Sequence, residues 1–325
     1  MKIGIIGCGH VGAASGYACV LKGVGTEIVM VDRNKDLAAA QAEDILHATP
    51  FASPIPVRSG EIADLDGAGI IIIAAGAAQK TGETRLDLLK RNADIFSDLI
   101  PQILNASPDA VLLIASNPVD VMTQMVASIA QKTHGINASR IIGSGTILDT
   151  ARFRALIAAH LGVSSHSVHA YVLGEHGDSE VLHWSGALVG TIPLANFAAQ
   201  VDAPITQQIR DQVDEGVRRA AYRIIHGKGA TWFGIGAGMA RLAMAVIGDE
   251  NALITCSTPT ANILGGGEVV CLSYPRIINR QGIIRTLVPE MNQSELDLLT
   301  KSALVLSQAA QEIGVADVSS SSYVA

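Results

Sequence analysis

Gly7-Cys8-Gly9-His10-Val11-Gly12 lies between a short apolar run, Ile3 to Ile6, and a helix-length segment, Val11 to Lys22. A GxGxxG arises readily in a chain with 32 glycines, so its surroundings decide its meaning. Here it follows an expected strand and opens an expected helix. Asp32 stands twenty residues beyond Gly12, at the end of the next apolar run, Ile28 to Val31. In that setting Gly7 permits the tight turn, Gly9 lets the backbone approach a pyrophosphate, and Gly12 allows close helix–sheet packing. The helix N-terminus then faces the phosphates. Asp32 would accept hydrogen bonds from adenosine ribose hydroxyls and repel a 2′-phosphate, which predicts NAD over NADP, with Arg33 next door pulling the other way. The competing reading is a glycine turn beside a solvated Asp.

Working outward, Ile70 to Ala74, Val111 to Ala115 and Ile141-Ile142 also read as strands. All are continuously apolar, as strands buried on both faces of a parallel sheet should be. Helical stretches such as Leu86 to Leu104 separate them, and this β-α-β-α order predicts an α/β fold with a Rossmann, doubly wound parallel sheet. After about residue 145 the rhythm changes. A helix is expected over Thr150 to Leu161, a strand over Val168 to Leu173, and a long amphipathic helix over Thr206 to His226, stopped by Gly227. Ser294 and Asp297 are expected to cap a last helix, and the serine-rich tail from Val318 to fray. The division predicted is a cofactor-binding domain over 1–145 and an α+β substrate domain over 146–325.

Composition narrows the function classes. The 325 residues are about twice the ~150 of one domain, so two are expected. Only 16% are charged and 49% hydrophobic, which excludes disorder. A net charge of −7 without a Lys/Arg run argues against nucleic acid or anionic membrane as partner. Mean hydropathy is +0.34, yet the longest apolar run, Gly67 to Ala78, has twelve residues, short of the roughly 20 needed to span a bilayer. Met1-Lys2-Ile3 runs straight into a strand without a leader pattern, so the cytoplasm is the expected location. Cys8, Cys19, Cys256 and Cys271 form no metal pattern and are expected to be reduced and buried.

In a charge-poor chain four groups stand out. Asp149 and Arg152 are three apart at the start of a helix and share a face. His176 sits in the glycine-flanked turn Gly174-Glu175-His176-Gly177-Asp178, after a strand. Arg85 lies in the polar loop following the third expected strand, at the ligand-facing carboxyl edge of such a sheet. Oxidising a 2-hydroxy acid requires a base for the hydroxyl proton, a cation for the carboxylate and a donor to polarise the forming carbonyl. His176 suits the first, because its reference pKa is near neutrality, with Asp149 orienting the imidazole and raising its pKa. Arg152 suits the second, since a guanidinium grips a carboxylate bidentately. Arg85, beside a Gly82 hinge, would close over the substrate. Taken singly, His176 could be structural, Asp149 a cap, Arg152 a helix ion pair and Arg85 a solvated charge.

With these stretches in view, the chain resembles the lactate/malate dehydrogenase family, and within it the bacterial L-lactate dehydrogenases. The resemblance rests on the Gly7–Gly12 motif, 76–86 (GAAQKTGETRL), 116–120 (SNPVD), 143–154 (GSGTILDTARFR), 168–178 (VHAYVLGEHGD) and 229–232 (GATW). It implies NAD-dependent interconversion of pyruvate and L-lactate, in glycolysis and fermentation. It also implies His176, Asp149, Arg85 and Arg152 as catalytic residues. Gln79, Asn117 and Thr231 join Arg85 and Arg152 around the substrate. Gly7, Gly9, His10, Val11, Gly12, Asp32, Gly76, Ala77, Ser116 and Asn117 belong to the cofactor site, and a cis bond precedes Pro118. Gln79 would face the substituent on C2; a second carboxylate against a neutral amide in a dry pocket would cost several kcal/mol, so pyruvate is favoured over oxaloacetate. Malate and branched 2-hydroxy acids remain the alternatives among enzymes, and a non-catalytic NAD(H) sensor the alternative outside them. Arg154 points roughly 200° round the helix from Arg152. By the resemblance, Arg154 and His169 match a pair that binds fructose 1,6-bisphosphate between subunits of a homotetramer, making this an allosteric enzyme.

Overall fold

In the computed structural model, which describes residues 1–77, 85–261, 263 and 268–315, the side chains of residues 85 and 86 lie outside the description. The strand before the glycine motif is β1 (Lys2–Ile6) and the helix after it α1 (His10–Lys22). Then follow β2 (Glu27–Val31), α2 (Lys35–Ala48), β3 (Val57–Ser59), β4 (Ala68–Ile73), α3 (Arg85–Ala106), β5 (Val111–Ile114), α4 (Val119–His134), β6 (Ile141–Gly143) and α5 (Ile147–Leu161). β1 to β6 pair in parallel in the order β3-β2-β1-β4-β5-β6, the doubly wound arrangement expected. Ile70 to Ile73 are all fully buried because β4 is central and covered on both faces. One face carries an apolar cluster with α3 and α4; the other packs against α1 and α2. Strand order reverses between β1 and β4, which opens a crevice at their carboxyl ends.

The second half contributes β7 (Val168–His169), β8 (Val172–Leu173), β9 (Val181–Leu182), β10 (Leu188–Val189), β11 (Ile192–Pro193), α6 (Leu194–Gln200), α7 (Gln207–Arg218), α8 (Ala220–Lys228) and α9 (Phe233–Ile247). It ends in β12 (Ala252–Ala261), β13 (Val269–Asn279), β14 (Gly282–Thr286) and α10 (Gln293–Glu312). β12 adds antiparallel to β6 at Ser257 and Gly143, and β13 and β14 follow, so among the described residues one sheet has nine strands spanning both halves. α10 joins α3 and α4 on one face and α9 joins α1 and α2 on the other. A third apolar cluster unites α5, α6 and α7 with the small sheet β11-β10-β7. The fully buried Arg276 of β13 donates to Cys256 O at 3.1 Å and Leu272 O at 3.1 Å, and to Thr260 Oγ1 at 2.7 Å. Carbonyls and hydroxyls of neighbouring strands thus satisfy its cation.

Several local expectations are corrected. Val168 to Leu173 is two strands in different sheets: β7 pairs with β10, whereas β8 pairs with β9 and leads to the Gly174–Ser273 bridge. The long helix breaks at Arg219 (φ −92°, ψ 0°). The four-residue apolar repeat holds through Val213 and Val217, which are buried, but α8 buries none of its residues and ends at Gly229 rather than Gly227. The last helix is capped by Asn292, whose side chain accepts from Glu295 N–H at 3.0 Å while Glu295 accepts from Asn292 N–H at 3.2 Å. β3 was not foreseen, being a three-residue edge strand with only Val57 buried. All four cysteines are free and buried. Among the described residues no helix is long and apolar enough to cross a membrane. The tail from Val318 lies outside the described residues.

Candidate active site

At the carboxyl edge, Gly7 turns the chain with φ +92°, and a Cβ there would stand 2.5 Å from Ala75 N. A Cβ on Gly12 would meet Gly7 O at 1.9 Å, so only glycine lets α1 begin this close to β1. Gly9 has open space where its Cβ would be, and it N-caps α1 without a side-chain hydrogen bond. The first N–H groups of α1, around His10 and Val11, therefore face an uncrowded surface suited to an anion. Asp32, just past β2, accepts from Cys8 N–H at 2.7 Å and Asn34 N–H at 2.8 Å, which fixes its carboxylate beside the glycine turn. Burial, then the Asp32 charge, pushes the Cys8 thiol up to about 12, so it stays an inert small group in that turn. Across the crevice, the Ser116 hydroxyl donates to Ala75 O. Ala77 N–H donates to Asn92 Oδ1 at 2.8 Å, and the Asn92 amide donates to Asn117 O at 3.2 Å. This places Gly76, Ala77, Ser116 and Asn117 along one rim. The Asn117–Pro118 bond is cis, as expected. A carboxylate for ribose, free helix N–H groups for phosphate and an unobstructed Gly9 together fit an NAD molecule.

The charged constellation is assembled by α5 and the turn after β8. α5 is anchored at its start: Thr146 Oγ1 donates to Val172 O at 2.5 Å, and Thr150 Oγ1 accepts from Val172 N–H at 3.0 Å. α5 begins at Ile147, so Asp149 is inside the first turn and is not its cap. Arg152 Nη1 donates to Asp149 Oδ1 at 2.8 Å, and His176 Nδ1 lies 2.6 Å from Asp149 Oδ2. One buried carboxylate thus holds both the guanidinium and the imidazole, leaving Nε2 as the ring nitrogen available to a ligand. Asp149 is 3% exposed, Arg152 15% and His176 28%, an order that sets the two cations toward solvent. The Asp149 charge lifts His176 to about 9 against the opposing pull of burial. Burial raises the Asp149 carboxyl, but His176 and Arg152 together outweigh it and hold the group below its ordinary value.

The turn bearing His176 is pinned from several sides. Gly174 exchanges two main-chain hydrogen bonds with Ser273, at 3.0 and 2.9 Å. Glu175 N–H donates to Ser302 Oγ and His176 N–H to Asp120 Oδ2, each at 2.8 Å. Tyr222 of α8 donates to the Asp178 carboxylate at 3.2 Å, which links the turn to the second half's exposed helix.

Thr231 shares a pocket of about 520 Å³ with Arg152, Leu148, Ile224, Lys228, Trp232 and Phe233. His176 lines a neighbouring cleft of about 450 Å³ with Pro118, Asp120, Glu175 and Leu306. His10 stacks on Trp232 with ring centroids 4.5 Å apart, at the cofactor rim. Arg154 donates from Nε to Ala170 O at 2.8 Å and lies over the Tyr171 ring, with exposed His169 one residue before Ala170. Arg85 is the first residue of α3, but its side chain lies outside the described residues, as does Gln79 altogether. Three groups at the site escaped the sequence reading. Asn92 bridges two loops across the crevice, and Asp120 lies at the end of the 116–120 stretch with its carboxylate on the His176 N–H. Glu180 is buried beside the constellation, and its Oε1 has no hydrogen-bond partner among the described residues. Burial, then the Asp149 charge, pushes it up to about 8. An acid in the otherwise apolar first turn of α4 was the available signal for Asp120.

Comparison with known proteins agrees with this geometry. The family profile described as lactate/malate dehydrogenase, NAD binding domain, matches residues 1–143, and that described as lactate/malate dehydrogenase, alpha/beta C-terminal domain, matches residues 146–315. The chain is 56% identical over 314 residues to the L-lactate dehydrogenase of Thermus aquaticus, covering 97% of this chain and 100% of that one. It is 53% identical to the L-lactate dehydrogenase of Allorhizobium ampelinum, covering 96% and 99%. Among solved structures, a lactate dehydrogenase from a Medee basin deep-sea metagenome library superposes with a TM-score of 0.90 at 37% identity, covering 96% of this chain and 98% of that one.

Proposed function

The chain belongs to the lactate/malate dehydrogenase family, and on that premise we propose that it is an L-lactate dehydrogenase reducing pyruvate to L-lactate with NADH. NAD is its cofactor, held by the family's NAD binding domain over the first half. The observation that carries the reading is the Asp149 carboxylate shared by Arg152 at 2.8 Å and His176 at 2.6 Å. It fixes a carboxylate clamp and a proton donor relative to each other before any substrate arrives, which lowers the entropic cost of the reactive geometry.

In this mechanism the cofactor, when bound, supplies the hydride. Gly7, Gly9, His10, Val11, Gly12 and Asp32 would hold its adenosine and pyrophosphate, and Gly76, Ala77, Ser116 and Asn117 would line the rest of the cofactor site. Arg152 grips the pyruvate carboxylate with its planar fork. Protonated His176 donates from Nε2 to the C2 oxygen, and Asp149 stabilises the imidazolium until that transfer. With His176 held at about 9, the proton is in place at neutral pH for reduction, whereas lactate oxidation requires its loss and gains as pH rises. Arg85, at the first position of α3, polarises the C2 carbonyl, and Gln79 and Thr231 face the C2 substituent. Residues 1–145 act as the cofactor half and 146–325 as the substrate half.

Leu148, Ile224 and Trp232 line the pocket beside Arg152, and the Lys228 ammonium in the same lining sits over the Trp232 ring at 3.3 Å, which supports a small neutral substituent over a second carboxylate. Assembly as a homotetramer belongs to this reading through the family resemblance. Fructose 1,6-bisphosphate would bind where Arg154 and His169 meet their symmetry mates. Four free thiols, all buried, fit the reducing cytoplasm. The test is NADH oxidation with a panel of 2-keto acids, run with and without the bisphosphate. Pyruvate is expected to give the highest kcat/KM, with its saturation curve shifted left by the bisphosphate. Faster turnover of oxaloacetate or 2-ketoisocaproate would replace the substrate assignment, and superimposable curves would remove the effector.

A further inference from the structure

We infer that Asp120 is a positioning residue for proton transfer, its buried carboxylate tying the His176 main chain to the first turn of α4 and adding a fixed negative charge near the imidazole. The inference rests on His176 being the proton donor of the reaction proposed above. Asp120 is 2% exposed, and its Oδ2 accepts the His176 N–H at 2.8 Å. Its Oδ1 is also buried and has no hydrogen-bond partner among the described residues. α4 starts directly after the cis Asn117–Pro118 bond, so one carboxylate joins the segment carrying Asn117 to the turn carrying His176.

A purely structural role does not account for an acid here. Its neighbours in the first turn, Val119, Val121 and Met122, are buried and apolar. A buried carboxylate is costly in such a place even with the Ser257 hydroxyl beside it, and an amide could accept the same N–H without the charge. The groups facing Asp120 are His176 and Glu175 from the turn, the Ser257 hydroxyl from β12 and the Cys271 thiol from β13. Burial raises the Asp120 carboxyl to about 6; Ser257 and His176 pull it down and Glu175 pushes it up. It is therefore ionised at neutral pH, where its charge adds to that of Asp149 in keeping His176 protonated. Glu180 contributes in the same direction when ionised.

Asp120→Asn separates charge from geometry, because the amide oxygen still accepts the His176 N–H. The readout is the His176 ring titration, followed by 15N NMR in ligand-free protein and assigned by difference from His176→Gln. The variant is expected to lower the His176 midpoint by about one pH unit and, through the smaller protonated fraction, kcat for pyruvate reduction at pH 8.5 by about threefold, with KM for NADH unchanged. A midpoint that stays at the wild-type value overturns the inference, whatever happens to the rate. Should Asp120→Asn not fold, the wild type carries the test: protonating Asp120 as pH falls through about 6 has to shift the His176 ring signals in step, and ring signals that ignore that step overturn it. A wild type whose His176 titrates as described but which reduces no 2-keto acid would sink the functional reading and leave the Asp120–His176 coupling intact.

Discussion

Replacing His176 by alanine is expected to lower kcat for pyruvate reduction about 10³-fold while NADH binding stays intact. The ring sits on Asp149 at 2.6 Å and contributes nothing to the glycine turn or to Asp32, so cofactor affinity has no reason to change. A proton must reach the C2 oxygen as the carbonyl is reduced. Without His176 it comes from water, which is neither positioned nor charged. Fluorescence titration of NADH and steady-state assays in parallel separate the two effects. Activity of His176→Ala within about threefold of wild type would remove the histidine from the mechanism, since a positioned acid is worth roughly 10²-fold or more.

The second large effect is expected at Arg152. On the proposed clamp role, Arg152→Gln would remove two charge-assisted hydrogen bonds to the substrate carboxylate, each worth about 1.5–3 kcal/mol. That predicts a fall in kcat/KM for pyruvate of about 10³-fold, expressed mainly in KM. Arg152 also donates to Asp149 at 2.8 Å, so a smaller loss in kcat accompanies it through the His176 partner. Arg152→Lys keeps the charge and loses the fork, and is expected to recover only a minor part of the loss. A lysine variant with wild-type KM would show that charge alone holds the substrate, and a glutamine variant with wild-type KM would show that the substrate carboxylate binds elsewhere.

Much of this was legible because the decisive signals are local. The Gly7–Gly12 turn, the all-isoleucine run of β4 and the three-residue spacing of Asp149 and Arg152 are each read within a few positions, and the structure joins that pair directly. His176 meeting Asp149 is a contact across 27 residues. It was reachable only because both residue types are needed by one reaction and the family pattern pairs them. What stayed hidden depends on tertiary pairing. β12 could have lain in a sheet of its own, and nothing near Ser257 marks Gly143 as its neighbour. The break at Arg219 is invisible to periodicity, since the spacing of α7 runs on into a segment that buries nothing. Asn292 displaced Ser294 as cap because its side chain meets Glu295 reciprocally, and the Ser294 hydroxyl instead donates to Asn292 at 2.7 Å. Asp120 was in plain view as a residue but not as a partner, because its role is a hydrogen bond to a main-chain N–H 56 residues away.

If the Asp149–His176 pair carries the proton, the pH dependence of kcat/KM for pyruvate reduction must differ between wild type and Asp149→Asn. His176 is held at about 9 chiefly by the Asp149 charge, and reduction needs the protonated ring. Activity in the wild type is therefore predicted to be level through neutrality and to fall as pH rises through about 9. In Asp149→Asn the fall is predicted to begin more than about one pH unit lower, with the plateau itself reduced. A descending limb at the same pH in both proteins would contradict the pairing on which the mechanism depends.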